Sequence, residues 1–334
     1  HFVRKIRDYV DIYRRLCARN RVRSRASPWR ICRFPALLCA AFLLNASACA
    51  SGTASQPPPA TPNAGLFSWG AELVNQTDGE LFSLLKQQGL TALYQNFSSK
   101  NSRQEQMSLF AESAMKAGIT VYHLTGDPYW GLDPNGEQLC EAVEEAAAYN
   151  RRIKRKFLER REEDGQKWET VPQLAGIVLD VEPYTLKEWD RNRSKVMKDF
   201  VSGMKKAYQL ARKYDLEVIL CVPWYYDGKG QQKGLEELIK TCCDGIAVMN
   251  YYRDSEIKNI ATEVELVRKH NKEIITIYEL KRANGKGIKE VNTYHNKGLD
   301  AVKRNYASLL DAYPGQTISI AYHDYQALKE VLKK

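Results

Sequence analysis

Residues Gly176 to Tyr184 read GIVLDVEPY. The apolar half should be buried, yet it runs into two carboxylates, Asp180 and Glu182, followed by Pro183 and Tyr184. Side chains alternate along an extended chain, so Val178, Asp180 and Glu182 share one face while Ile177, Leu179 and Val181 share the other. Twice the rise of a strand residue sets the two acidic Cα atoms about 6.5 Å apart. At that separation each charge makes ionisation of the other harder. One carboxyl then keeps its proton near neutral pH as a general acid, and its ionised partner orients it or a substrate group. The bland alternative is a rim pair salt-bridged to Arg or Lys.

Such a pair needs a strand that stops at an open mouth. Short apolar or β-branched runs at 66–72, 92–98, 119–127, 174–182, 217–226, 245–252, 273–280 and 317–325 predict eight strands. Amphipathic stretches at 77–89, 101–117, 135–166, 186–214, 231–242, 255–271, 294–312 and 325–333 predict helices around them. Leu81, Leu84 and Leu85 recur at helical spacing, as do Val196, Phe200, Met204 and Ala207. Eight strand–helix repeats with strands apolar throughout predict an α/β chain with a parallel sheet closed into a single (β/α)8 TIM barrel over 66–334. A doubly wound open sheet is the runner-up, but no glycine-rich nucleotide turn follows the first strand.

In a barrel of this kind the site lies at the carboxyl ends of the strands. Those ends collect Trp69, Glu72, Asn96, His123, Tyr184, Trp224, Tyr226, Asn250 and His323 around Asp180 and Glu182, with Tyr251 and Glu279 on the sixth and seventh strands. Flat aromatic faces among carboxylates and amides suit a carbohydrate, whose C–H faces stack on rings while its hydroxyls bond to polar groups. His123 and His323 with Glu72 and Asp180 would be the metal set of a phosphodiesterase-like barrel. They lack diagnostic spacing, so neither metal nor cofactor is expected.

The GIVLDVEPY segment resembles the signature strand of the chitinase-like family 18 glycoside hydrolases, whose fourth strand ends in DxxDxDxE. Asp180 and Glu182 match its last two acidic positions, whereas Ala175 and Val178 stand where the first two aspartates should be. Met249-Asn250-Tyr251 matches the family's Met-x-Tyr, with Tyr252 in place of the aspartate that usually follows, and the eighth strand lacks the expected tryptophan. The resemblance implies that Glu182 protonates the leaving oxygen, that Asp180 holds a substrate N-acetyl group which attacks the anomeric carbon, and that Tyr251 bonds to the intermediate. A second resemblance, to glycoside hydrolase clan A, implies Glu182 as acid/base and Glu279 as nucleophile, although Val181 replaces the clan's asparagine. The bland reading of Glu279 is a rim carboxylate bonded to Arg253, Lys281 or Arg282. Hydrolysis of a β-linked poly- or oligosaccharide, with an N-acetylated sugar as one candidate, is thus expected. A non-catalytic carbohydrate-binding barrel is the rival.

The chain has 334 residues and a net charge of +10. Residues 1–34 hold 11 Lys/Arg against Asp8 and Asp11, a balance of +9; the other 39 basic and 38 acidic residues leave only +1. That distribution argues against a nucleic-acid-binding face. The basic leader precedes an apolar run, residues 35–44, too short to cross a bilayer, and the small residues 45–50; together they predict a secretory signal peptide over 1–50. Cleavage before Cys49 would resemble a bacterial lipoprotein signal and leave a lipid anchor there, with plain secretion the equal alternative. Residues 51–65, SGTASQPPPATPNAG, read as a semi-rigid linker. An exported, monomeric barrel follows as the expectation.

Overall fold

The computed structural model describes residues 63–75, 79–97, 103–161, 170–228, 230–285 and 287–334. The expected signal peptide, the candidate anchor at Cys49 and the expected linker up to residue 62 lie outside the described residues.

Eight strands are present among them: β1 (Ala64–Ser68), β2 (Ala92–Gln95), β3 (Thr120–Thr125), β4 (Gly176–Leu179), β5 (Glu217–Pro223), β6 (Gly245–Met249), β7 (Glu273–Glu279) and β8 (Ser319–His323). All pair in parallel, in sequence order, and β8 returns to β1 to close the barrel. Around them run α1 (Glu80–Gln87), α2 (Gln104–Ala117), α3 (Glu137–Arg161), α4 (Lys187–Lys213), α5 (Gln232–Thr241), α6 (Glu256–Asn259), α7 (Ala261–His270), α8 (Leu299–Ala312) and α9 (Tyr325–Leu332). The (β/α)8 barrel is therefore the fold.

Both faces of each strand are covered, which is why the strand sequences are apolar throughout. Phe67, Tyr94, Leu124, Val178, Ile219, Cys221, Ala247, Ile277 and Ala321 fill the barrel interior. Ile177, Leu179, Val218 and Leu220 face outward against Val143 of α3 and Phe200 and Met204 of α4. Toward the amino ends of the strands the Tyr94 and Tyr122 rings sit 5.6 Å apart and the Tyr122 hydroxyl donates to Glu217 at 2.6 Å, so the barrel is plugged below.

Several boundaries differ from the sequence expectation. β1 begins at Ala64, inside the expected linker, and gives way after Ser68 to a 3-10 turn, Ala71–Asn75. β4 stops at Leu179, although the Asp180 amide still donates to the Thr125 carbonyl at 2.9 Å. The chain then turns, with Glu182 leading into the 3-10 turn Pro183–Thr185. The expected helix 255–271 is broken into α6 and α7 at Ile260, and α4 is kinked at Asn192, whose side chain caps the Lys195 amide at 3.1 Å.

Candidate active site

Asp180 lies two residues beyond Val178, which pairs with Ile219, and so stands level with Cys221 on the inward face. Part of the residue remains open to the mouth, but its Oδ1 is buried without a hydrogen-bond partner. Burial first, and the charge of Glu182 second, push the Asp180 carboxyl up to about 7; His323 pulls the other way. The Cys221 thiol beside it is raised by burial and by the charges of Asp180 and Glu182. Glu182 is half-buried and accepts a hydrogen bond from the Tyr184 hydroxyl. Burial and Glu182 together hold that phenol well above its ordinary range. The approach of β3 to this corner depends on Gly126, where a Cβ would stand 1.9 Å from the Asp180 carbonyl oxygen.

The opposite wall comes from β6, β7 and β8. Tyr251 follows β6 and stacks on the His323 ring, with centroids 6.2 Å apart and planes inclined by 28°. Burial, then the charges of Glu279 and Asp180, raise the Tyr251 phenol. Glu279 is 5% exposed. One of its oxygens accepts from the Lys281 amide at 2.8 Å and the other meets His323 Nδ1 at 2.9 Å. Its partners are thus His323 and the Lys281 backbone, and not the Arg253, Lys281 or Arg282 side chain of the bland alternative reading.

Aromatic faces rim this floor. Seven large apolar side chains are exposed among the described residues, and four of them, Trp69, Tyr129, Tyr225 and Tyr252, stand just after the tips of β1, β3, β5 and β6. Tyr225 meets Tyr184 and Trp224 edge-on at 5.6 and 5.4 Å, and Trp224 reaches Tyr252 at 6.0 Å, so the wall over β4 to β6 is continuous.

No protein-family model matches this chain, and neither does any curated protein. Solved structures similar to it include a GH18 chitinase from Pseudoalteromonas aurantia, 13% identical over 81% of this chain and 99% of that one, with a TM-score of 0.44. Others are the cellulose synthase subunit Z of Clostridioides difficile, 12% identical over 79% and 92% at a TM-score of 0.46, and a D-psicose 3-epimerase from Clostridium cellulolyticum H10, 11% identical over 81% and 89% at 0.45. These proteins differ in their chemistry and single out no activity.

The carboxylate pair, Tyr184, Tyr251, Glu279 and His323 come together in the bowl, and Trp69, Trp224 and Asn96 lie at its rim. Asn96 donates its amide to the Leu124 carbonyl at 2.8 Å, tying the β2 and β3 ends. Four expected members do not belong. His123 lies on the outward face of β3, buried against Phe97 and against Tyr149 of α3, and burial holds its imidazole down at about 3. Its Nδ1 accepts from the Phe97 amide at 3.4 Å. The set His123, His323, Glu72 and Asp180 is therefore split between the two faces of the sheet. Asn250 also faces outward: its amide group bonds the Glu256 carbonyl at 3.1 Å, Thr276 at 3.3 Å and Asn259 at 3.0 Å, holding the loop after β6 to α6. Tyr226 is buried behind Tyr184 and stacks on Trp189 of α4 at 5.5 Å, so no substrate can reach its ring. Glu72 sits exposed on the 3-10 turn after β1, bonded to none of the other bowl residues. Tyr129, Tyr225 and Gly126 were not among the expected site residues. Aromatics directly after strand tips were the available signal for the first two; nothing in the sequence marks the contact at Gly126.

Proposed function

We propose that this barrel is a glycoside hydrolase-like enzyme that cleaves a β-linked glycan. The observation that carries the reading is the Asp180–Glu182 pair: a carboxyl held protonated up to about pH 7, beside a second carboxylate, at the floor of a bowl with exposed aromatic walls. The proton of the pair is delivered through Glu182, which is nearer the mouth. Asp180 shares the charge left behind, and Tyr184 orients the Glu182 carboxyl. Trp69, Tyr129, Tyr225 and Tyr252 offer the faces on which successive sugar rings stack. An exported chain would meet such a polymer outside the cytoplasm, in keeping with its basic leader and short apolar run.

The absence of acids at Ala175 and Val178 favours one rival, a barrel that binds glycan without turnover. A panel of polysaccharides separates the two. Wild type should release reducing ends from at least one member, and Glu182→Gln should lose about 10² to 10⁴-fold in kcat while still binding it, the range typical of a removed general acid. Equal binding by both proteins, with no product from either, would establish the binding barrel instead.

A further inference from the structure

The Glu279–His323 pair is buried machinery that the carboxylate chemistry of β4 leaves unused. Ionised Glu279 can only accept hydrogen bonds, so the contact of 2.9 Å assigns the hydrogen to His323 Nδ1. Nε2 is then the ring's free lone pair, and the His323 side chain forms no other hydrogen bond among the described residues, while its backbone carbonyl accepts from the Leu280 amide at 2.8 Å. The ring is fixed on both sides, by Tyr251 at 6.2 Å and by Phe67 at 6.1 Å. Glu279 is fixed in turn by the Lys281 amide, and the Lys281 side chain pairs with Asp324 at 3.0 Å. The charged and titratable groups around the imidazole are thus Glu279, Tyr251, the Lys281–Asp324 pair and, across the mouth, Asp180, whose ionisation His323 favours. β4 and β8 lie four strands apart in a ring of eight, so the Asp180–Glu182 pair and His323 flank the bowl from opposite sides.

We propose that His323, positioned by Glu279, is the general base of a single-displacement hydrolysis in this bowl; this rests on the glycoside hydrolase reading above. A water between His323 and the anomeric carbon gives one proton to Nε2 as its oxygen bonds to that carbon. The glycosidic C–O bond breaks with its electron pair passing to the leaving oxygen, which takes the proton of the Asp180–Glu182 pair. The imidazolium then returns its proton to solvent, the acidic pair regains one, and the net change is one water consumed. Attack from the side opposite the acid inverts the anomeric configuration. That outcome differs from the retention expected of N-acetyl participation or of a Glu279 nucleophile, and it makes Glu279 a positioning residue.

Two readouts test this. Proton NMR of the first product should show the inverted anomer. His323→Ala should lose at least 10²-fold in kcat with KM little changed, and azide should restore turnover with an inverted glycosyl azide as product. Glu279→Gln should lower kcat with KM little changed, because substrate still binds while the imidazole is no longer held in line; a merely structural residue would disturb KM as well. A retained anomer, or a Glu279→Gln variant with undiminished kcat, overturns the proposal. The second readout needs no turnover: long-range ¹⁵N NMR should show the Nδ1–H tautomer for His323 in wild type and its loss in Glu279→Gln. An inactive wild type would remove the hydrolase reading and with it the base role, whereas an Nε2–H tautomer would remove the dyad even in an active enzyme.

Discussion

At the scale of single residues, the floor of the bowl carries a stability signature that is separate from activity. Asp180 ionises near 3.8 in an unconstrained chain but only near 7 here, with burial the larger cause and Glu182 the next. Between those values the folded chain holds a proton that the unfolded chain has lost. Stability therefore falls as pH rises from about 4 to about 7 and levels off above that. Asp180→Asn keeps the shape and removes the titration. At pH 4 the two proteins should be nearly equal in stability, and at pH 8 the variant should be the more stable by on the order of 3 kcal/mol. Urea denaturation at pH 4, 6 and 8 measures it, and a gap that does not change with pH would show that Asp180 is not held neutral. His123 pulls in the opposite sense. A buried imidazole kept neutral down to about 3 contributes stability above its ordinary pKa of 6.5 that is lost as pH falls.

At the scale of elements, the ends of β3 and β4 meet so closely that the corner admits only hydrogen at Gly126. A methyl group there would lie 1.9 Å from the Asp180 carbonyl, so the two tips must separate. Gly126→Ala should cost about 2 kcal/mol or more in denaturant unfolding, and it should lower kcat further by shifting the backbone that carries the carboxylate pair. A fully stable and fully active variant would refute the tight corner. The same elements show why part of the site was legible and part was not. Eight apolar runs separated by helical stretches specify a barrel almost by themselves, and two acids at the end of one run stand out because an inward strand face has little other use for them. Where a strand is apolar on both faces, as in Val121–Leu124 or Ile246–Met249, alternation does not say which parity points inward. The sequence alone therefore places His123 and Asn250 at the mouth, whereas packing against Tyr149 and bonds to α6 hold them outside it. Helix ends were blurred for a similar reason: α4 bends at Asn192 while its apolar stripe continues without a break.

At the scale of the whole molecule, the bowl exists only while the ring is closed, and closure joins the first described strand to the last. The Ile320 amide donates to the Asn63 carbonyl at 3.0 Å, and the Asn63 amide donates to the Ser319 hydroxyl at 3.0 Å. Over this seam lies α9, with Tyr325, Leu328 and Val331 buried in the same cluster as Leu66 of β1 and Leu85 of α1, and Lys329 pairs with Glu80 at 2.7 Å. Each of the three buried side chains is worth about 1.5 to 3 kcal/mol, so together they supply roughly 5 kcal/mol or more. That is comparable with the whole stability of a typical domain, about 5–15 kcal/mol. A chain ending at Asp324 should accordingly unfold at a markedly lower urea concentration. Because His323 sits at the tip of β8 and Glu182 on the far side of the ring, opening the seam should also abolish activity before the helical signal in far-ultraviolet circular dichroism is lost. Coincident loss of both would mean that the barrel opens everywhere at once, and unchanged stability would mean that β1 and β8 hold the ring closed without α9.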